Sequence, residues 1–275
     1  MADLTQPSWN ELPNDRLSAL QTLLLDLDGV MYRGNTSLPG AQEILPALAE
    51  MGIKHAFVTN NSTLTPESVA EKLNQMSVPA LPSQVVTSSG ATADYLLTLE
   101  PAGSRVLVVG EDGLRSALRN AGFELADESV SCVAVGLDRT LTYDRLARAC
   151  VALHAGARFI ATNADPGLPV EGGLWWPGAG AIVAALRTAS GRDPDIVGKP
   201  FPTLLRVAMA RLGAEPSTTA IAGDQLQSDI SAGFAAGITT ILVGSDQWVG
   251  SDGPSPDIRV PDLLALVNLL RKSRA

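Results

Sequence analysis

An α/β fold, a doubly wound and mostly parallel sheet with an inserted α/β unit, is predicted by three features of the sequence. Short apolar runs of strand length alternate with longer amphipathic stretches. Four of the runs end on polar residues that a buried strand would not otherwise carry. Two of those ends, Thr59 and Lys199, lie about 140 residues apart, far more than one crossover needs.

Residues 22–27 form a continuous, mainly apolar run, as a strand buried on both faces would, and it carries Asp26 near its end. Pro39 and Gly40 open a helical stretch to about Met51, and 55–60 is the next strand. Thr65 reads as an N-cap with Pro66 at the first helical position, opening a helix to about Met76. A short strand at 85–88 precedes a helix over ATADYLLTL. Strands at 105–110 and 130–137 flank a helix that Gly122 ends. A helix at 143–154 leads to a strand at 158–163. Residues 164–180, rich in Gly, Pro and Trp, read as loop before the helix AGAIVAALRTASG. Then follow a strand at 195–198, a helix at 202–212, a strand at 218–223, a helix from about Ser228 to Ala236, a strand at 239–243 and a last helix near 261–271. Polar joints at 100–103 and 190–194 divide the chain into a discontinuous core, 1–101 with 194–275, and an inserted unit, 102–193.

The 275 residues are 45% hydrophobic, enough for a sizeable core and against global disorder. A net charge of −9 and a pI of about 4.7 argue against a broad basic surface for nucleic acid. Cys132 and Cys150 form no CxxC pair and read as small buried side chains in a reducing, cytoplasmic compartment. The N-terminal MADLTQPSWNELPNDRL has no basic segment followed by an apolar one, and no run of about 18 apolar residues occurs, so neither signal peptide nor membrane span is expected.

In doubly wound sheets, ligands bind beyond the carboxyl ends of the strands. The four polar ends are Asp26-Leu27-Asp28-Gly29, Val58-Thr59-Asn60-Asn61, Val197-Gly198-Lys199-Pro200 and Ala222-Gly223-Asp224, the last with Asp229 at the following helix start. Brought together, they make a cluster of carboxylates with one ammonium, a hydroxyl and two amides. Clustered carboxylates repel unless a cation joins them. An all-oxygen set without His or Cys points to a hard ion, Mg²⁺ first. Magnesium shares phosphate oxygens, and lysine, hydroxyl and amide donors would hold the rest. The cluster therefore reads as a phosphoryl-transfer site.

The ordered motifs DLDGV, VTNN, GKP and GDQLQSD resemble those of the haloacid dehalogenase-like (HAD) hydrolase superfamily. The long insertion after the second motif, with TNADPGLPVEGG and WWPGAGAIVAALRTASGR, is similar to its large-cap branch of nitrophenyl phosphatase, phosphoglycolate phosphatase and NagD-like enzymes. The resemblance implies that Asp26 is the nucleophile forming an aspartyl-phosphate, and that Asp28 is the general acid/base whose backbone carbonyl also ligates Mg²⁺. It makes Asp224 the second side-chain metal ligand and gives Asp229 a supporting role behind the ligands. Lys199 would neutralise phosphate and brace Asp26. Thr59 and Asn60 would donate to phosphate, while Asn61 is divided between that role and turn formation. Gln225 and Gln227 stand where that branch is expected to carry basic and acidic residues. Gly34 and Gly40 follow the first motif, where the superfamily has a mobile turn and flap.

The inserted unit would choose the substrate, a small-molecule phosphate monoester. Asp165, Glu171, Trp175 and Trp176 are expected to face the core site, with the tryptophans lining either a leaving-group pocket or an interface. By analogy with the family, the cap could form a homodimer. Neither nucleic acid nor membrane is expected as a partner. Alternative activities on this core are a phosphotransferase, a dehalogenase, which Asp28 disfavours, and a non-catalytic phosphate-binding scaffold. A receiver domain conflicts with the long insertion.

Overall fold

The structure, a computed structural model, describes residues 15–170, 174–244 and 254–274. The first seventeen residues, on which the signal-peptide expectation rests, lie mostly outside the described residues, and so does Glu171. The chain starts a sheet with β1 (Thr22–Asp26), makes a small hairpin of β2 (Tyr32–Arg33) and β3 (Thr36–Ser37), and returns with β4 (Lys54–Thr59) and β5 (Val85–Thr87). A second sheet then forms from β6 (Arg105–Val109), β7 (Glu124–Leu125), β8 (Cys132–Val135) and β9 (Arg158–Ala161). A hairpin of β10 (Gly167–Val170) and β11 (Leu174–Pro177) projects from it, and β12 (Asp195–Ile196) adds its last strand. The chain re-enters the first sheet as β13 (Thr219–Gly223), β14 (Thr239–Val243) and β15 (Ile258–Val260).

Both large sheets are parallel. The first has the order β15-β14-β13-β1-β4-β5 and the second β12-β9-β8-β6-β7. In the first sheet the chain winds outward from β1 through β4 to β5, then resumes on the other side at β13. The strand order therefore reverses between β1 and β13, where such sheets open a crevice at their carboxyl ends.

Alternation along the strands divides the core into layers. Leu23 and Leu25 of β1 join one apolar cluster with Phe57, Ala220 and Ala222. Leu24 points to the opposite face, into a second cluster with Ala56, Val58 and Ile221. That second cluster runs on into the inserted unit through Val106, Val108, Leu114, Leu118 and Cys132. Core and insertion thus share apolar packing as well as two chain crossings.

Several expectations change. Asp195–Ile196 was expected within the core unit, yet it pairs with Ile160 and Ala161 of β9 in the inserted sheet. Residues 164–180, read as loop, contain the β10–β11 hairpin, in which Leu168 faces Trp176. The helix expected from Gly40 starts only at Ile44. The one expected from Ser228 is preceded by a wide turn over Leu226–Ile230, in which the Ile230 N–H donates to the Gln225 carbonyl at 3.3 Å. The Thr65 cap holds, its hydroxyl accepting from the Ser68 N–H at 3.3 Å with Pro66 next in the chain. Cys132 and Cys150 are free thiols, the first buried and the second half-buried. No helix among the described residues is long and apolar enough to cross a membrane.

Candidate active site

Asp26 is the last residue of β1 and is buried, so its carboxylate leaves the apolar strand directly into the crevice beside β13. Lys199, also buried, reaches it from the segment after β12. Lys199 Nζ donates to Asp26 Oδ1 and to Asp229 Oδ1, each at 2.5 Å. Asp229 Oδ2 accepts the Gln225 N–H at 3.1 Å, so both its oxygens are engaged. The wide turn over Leu226–Ile230 aims Asp229 back at the strand end, a use to which such one-residue insertions are often put at functional sites.

Asp224 follows β13, and oxygens of Asp26, Asp224 and Asp229 lie within 4.8 Å of one another. Asp224 Oδ1 is buried with no hydrogen-bond partner. Burial is the main cause pushing the Asp224 carboxyl up to about 7, and Asp229 adds repulsion. Burial likewise raises Asp26 to about 8, with Lys199 opposing and Asp229 and Asp224 reinforcing the rise. For Lys199, burial lowers the pKa, but Asp229 and Asp26 outweigh it and the net shift is upward. Two adjacent buried carboxyls whose charges repel each other, one with an oxygen left unpartnered, are a donor set that fits a hard divalent cation. Gly29 keeps that space open: at φ +85° a Cβ would stand 2.0 Å from Asp224 Oδ2.

Asp28, two residues past the end of β1, is largely exposed, and its backbone pairs with Tyr32 of the small hairpin. Partial burial of its carboxyl raises the pKa, opposed by Lys72 and Arg33. Lys72 Nζ sits 3.9 Å from the centroid of the Tyr32 ring. Thr59 ends β4 and is buried, its Oγ1 accepting the Asn61 N–H at 3.1 Å.

The amides have partners within the protein. The Asn60 carboxamide is engaged by Lys199 and Asp165, which leaves its backbone N–H as the amide group for the phosphate role expected from the motif. Asn60 Oδ1 accepts the Lys199 N–H at 2.8 Å, and Nδ2 donates to the Lys199 carbonyl at 2.9 Å and to Asp165 Oδ2 at 3.2 Å. Asn61 Oδ1 accepts from the Thr63 N–H and hydroxyl at 2.8 and 2.9 Å, a turn-forming contact that leaves its role towards phosphate open. Asn163 was not foreseen: its Nδ2 donates to the Asn60 carbonyl at 2.5 Å, a carbonyl that also accepts from Ser88 Oγ at 2.7 Å. Only the TNAD run after a strand could have signalled it. Trp175 and Trp176 stand exposed on β11.

Two family models match the chain: haloacid dehalogenase-like hydrolase over residues 23–124 and HAD-hydrolase-like over 196–266. The acid sugar phosphatase of Staphylococcus aureus (strain USA300) is 44% identical over 221 residues, 80% of this chain and 85% of that protein. The 4-nitrophenylphosphatase of Thermotoga maritima superposes with a TM-score of 0.86 at 33% identity, covering 92% of this chain and 98% of the other. NagD of E. coli K-12 gives 0.82 at 35% identity over 89% and 97% of the two chains. With the four strand ends converging as their order in the sequence required, the chain belongs to the haloacid dehalogenase-like hydrolase superfamily, in the large-cap phosphatase branch that holds the p-nitrophenylphosphatases and NagD.

Proposed function

We propose that this protein is a Mg²⁺-dependent phosphatase of small organic phosphate monoesters, acting through a phosphorylated Asp26. The observation that carries the reading is Asp26 gripped by Lys199 beside an Asp224 oxygen with no partner. Bound Mg²⁺ would be held by Asp26, Asp224 and the Asp28 main-chain carbonyl, where it would offset carboxylate charge and that of the phosphate oxygens. Lys199 holds Asp26 in place and supplies positive charge beside the transferring group. An oxygen of Asp26 attacks phosphorus as the ester oxygen departs, and Asp28 gives that oxygen its proton. Asp28 then takes a proton from the water that attacks phosphorus, the bond to Asp26 breaks, and inorganic phosphate is released. Thr59 lies at the adjacent strand end, where its hydroxyl can meet a phosphate oxygen.

Sugar phosphates are the substrate class favoured by the acid sugar phosphatase relatives, with aryl phosphates as surrogates. A cytoplasmic setting suits the two free thiols. A homodimer through the cap is consistent with the exposure of Leu174, Trp175 and Trp176. Phosphate release over a panel of sugar, nucleotide and aryl phosphates, with Mg²⁺ and with EDTA, tests the reading. Turnover that EDTA abolishes and Mg²⁺ restores is expected. Binding without turnover would leave a scaffold, and phosphate passed to a competing alcohol in preference to water would leave a transferase.

A further inference from the structure

The lysine of the active site is carried by backbone that belongs to the cap. β12 is the last strand of the cap sheet, and the pairing continues past its end. The Val197 N–H donates to the Ala161 carbonyl at 3.0 Å and the Gly198 N–H to the Thr162 carbonyl at 2.8 Å. Lys199 is the next residue, and Asn60 takes over there. Its carboxamide closes on both the N–H and the carbonyl of Lys199, and its remaining donor goes to the Asp165 carboxylate. Gly198 allows this approach, since a Cβ would lie 2.5 Å from the Thr162 carbonyl oxygen and 2.6 Å from Asn60 Oδ1. Asp165 is itself fixed at the cap, its carbonyl accepting the Gly180 N–H at 2.9 Å.

From this chain of contacts we infer that Asp165 is a positioning residue for the reaction: it fixes the Asn60 carboxamide, and through it sets Lys199 Nζ on Asp26. The cap then does more than cover the site. Seating its loop after β9 and placing the ammonium are one event, because the same amide reads both. Asp165 need touch neither the phosphate nor the metal to act. A carboxylate is the stronger acceptor for the Asn60 amide, and a carboxamide of the same shape can still accept that bond.

The inference rests on the proposed phosphatase reaction, so its test carries a readout that needs no turnover. Lys199 is 3% exposed and shielded from amine reagents. In Asp165→Ala, Lys199 should be acylated by a water-soluble amine reagent about tenfold faster or more, read by peptide mass spectrometry with the surface Lys54 as internal standard. The kcat for p-nitrophenyl phosphate should fall by a similar factor with KM changed far less. Asp165→Asn should recover most of both. Thermal melts of the two variants identify any general loss of folding. Unchanged Lys199 labelling in Asp165→Ala would overturn the inference, as would an Asp165→Asn variant no better than Asp165→Ala. A protein that shows the labelling pattern without any turnover would sink the phosphatase reading and leave the coupling intact.

Discussion

At the scale of single residues, the site is a contest between burial and charge. Asp224 has an unpartnered oxygen and a carboxyl raised to about 7. A carboxyl whose folded pKa exceeds its unfolded value binds its proton more tightly when folded. Its contribution to stability is full below the unfolded pKa and is lost as pH climbs through the folded one. The metal-free protein should therefore melt at falling temperature as pH rises from about 4 to about 7. Added Mg²⁺ should recover the loss, most at the alkaline end; a metal-free melting curve that is flat over this range would contradict the assignment. Gly29 tests the same space sterically. Gly29→Ala puts a methyl group against Asp224 at a backbone angle that disfavours it, and the Mg²⁺ concentration for half-maximal activity should rise about tenfold or more. The aspartates and the lysine were legible in the sequence because each lies in a short polar motif at or just after the end of a strand. The duty of Asn60 was not, because its partners lie 105 and 139 positions away and only the folded chain brings them together.

At the scale of elements, β1 sets both the core and the chemistry. Its alternating leucines feed opposite apolar layers, and its fifth residue emerges at the crevice. Phe57, its neighbour on β4, is fully buried and pairs with Leu25. Phe57→Ala should reduce unfolding free energy by about 3–5 kcal/mol in urea titrations, with the loss shared between cavity and transfer terms. A loss below about 1 kcal/mol would mean that this layer repacks freely. Long apolar strands and the proline-capped helix could be read directly from pattern. The β10–β11 hairpin could not, since Gly167, Pro169 and Pro177 are turn-forming residues placed inside strands. The two-residue strand β12 carries no signature of which sheet it joins, and in joining the cap it draws Lys199 with it.

At the scale of the molecule, two parallel sheets share an apolar cluster, and the cap presents the β10–β11 hairpin to solvent. Trp175 and Trp176 on it are 65% and 49% exposed, large amphipathic rings of the kind enriched at interfaces. Replacing both with leucine should reorder the preference among phosphate esters or shift the sedimentation coefficient toward monomer, while leaving Mg²⁺ affinity within about twofold. A double variant with unchanged ranking and unchanged sedimentation would remove the hairpin from both roles. The insertion itself was legible from the spacing of Thr59 and Lys199. Its continuity with the core was not, because residues such as Leu114 and Leu118 read as an ordinary amphipathic face until their partners are known. All of these features converge on one atom, the Asp26 oxygen that Lys199 holds. Its role is tested most directly by acid-quenching the enzyme during turnover of a radiolabelled phosphate ester and mapping the labelled peptide. Label on Asp26 that hydroxylamine removes, and that is absent in Asp26→Asn together with turnover, is the predicted result; label on another residue, or an Asp26→Asn variant with wild-type turnover, would contradict it.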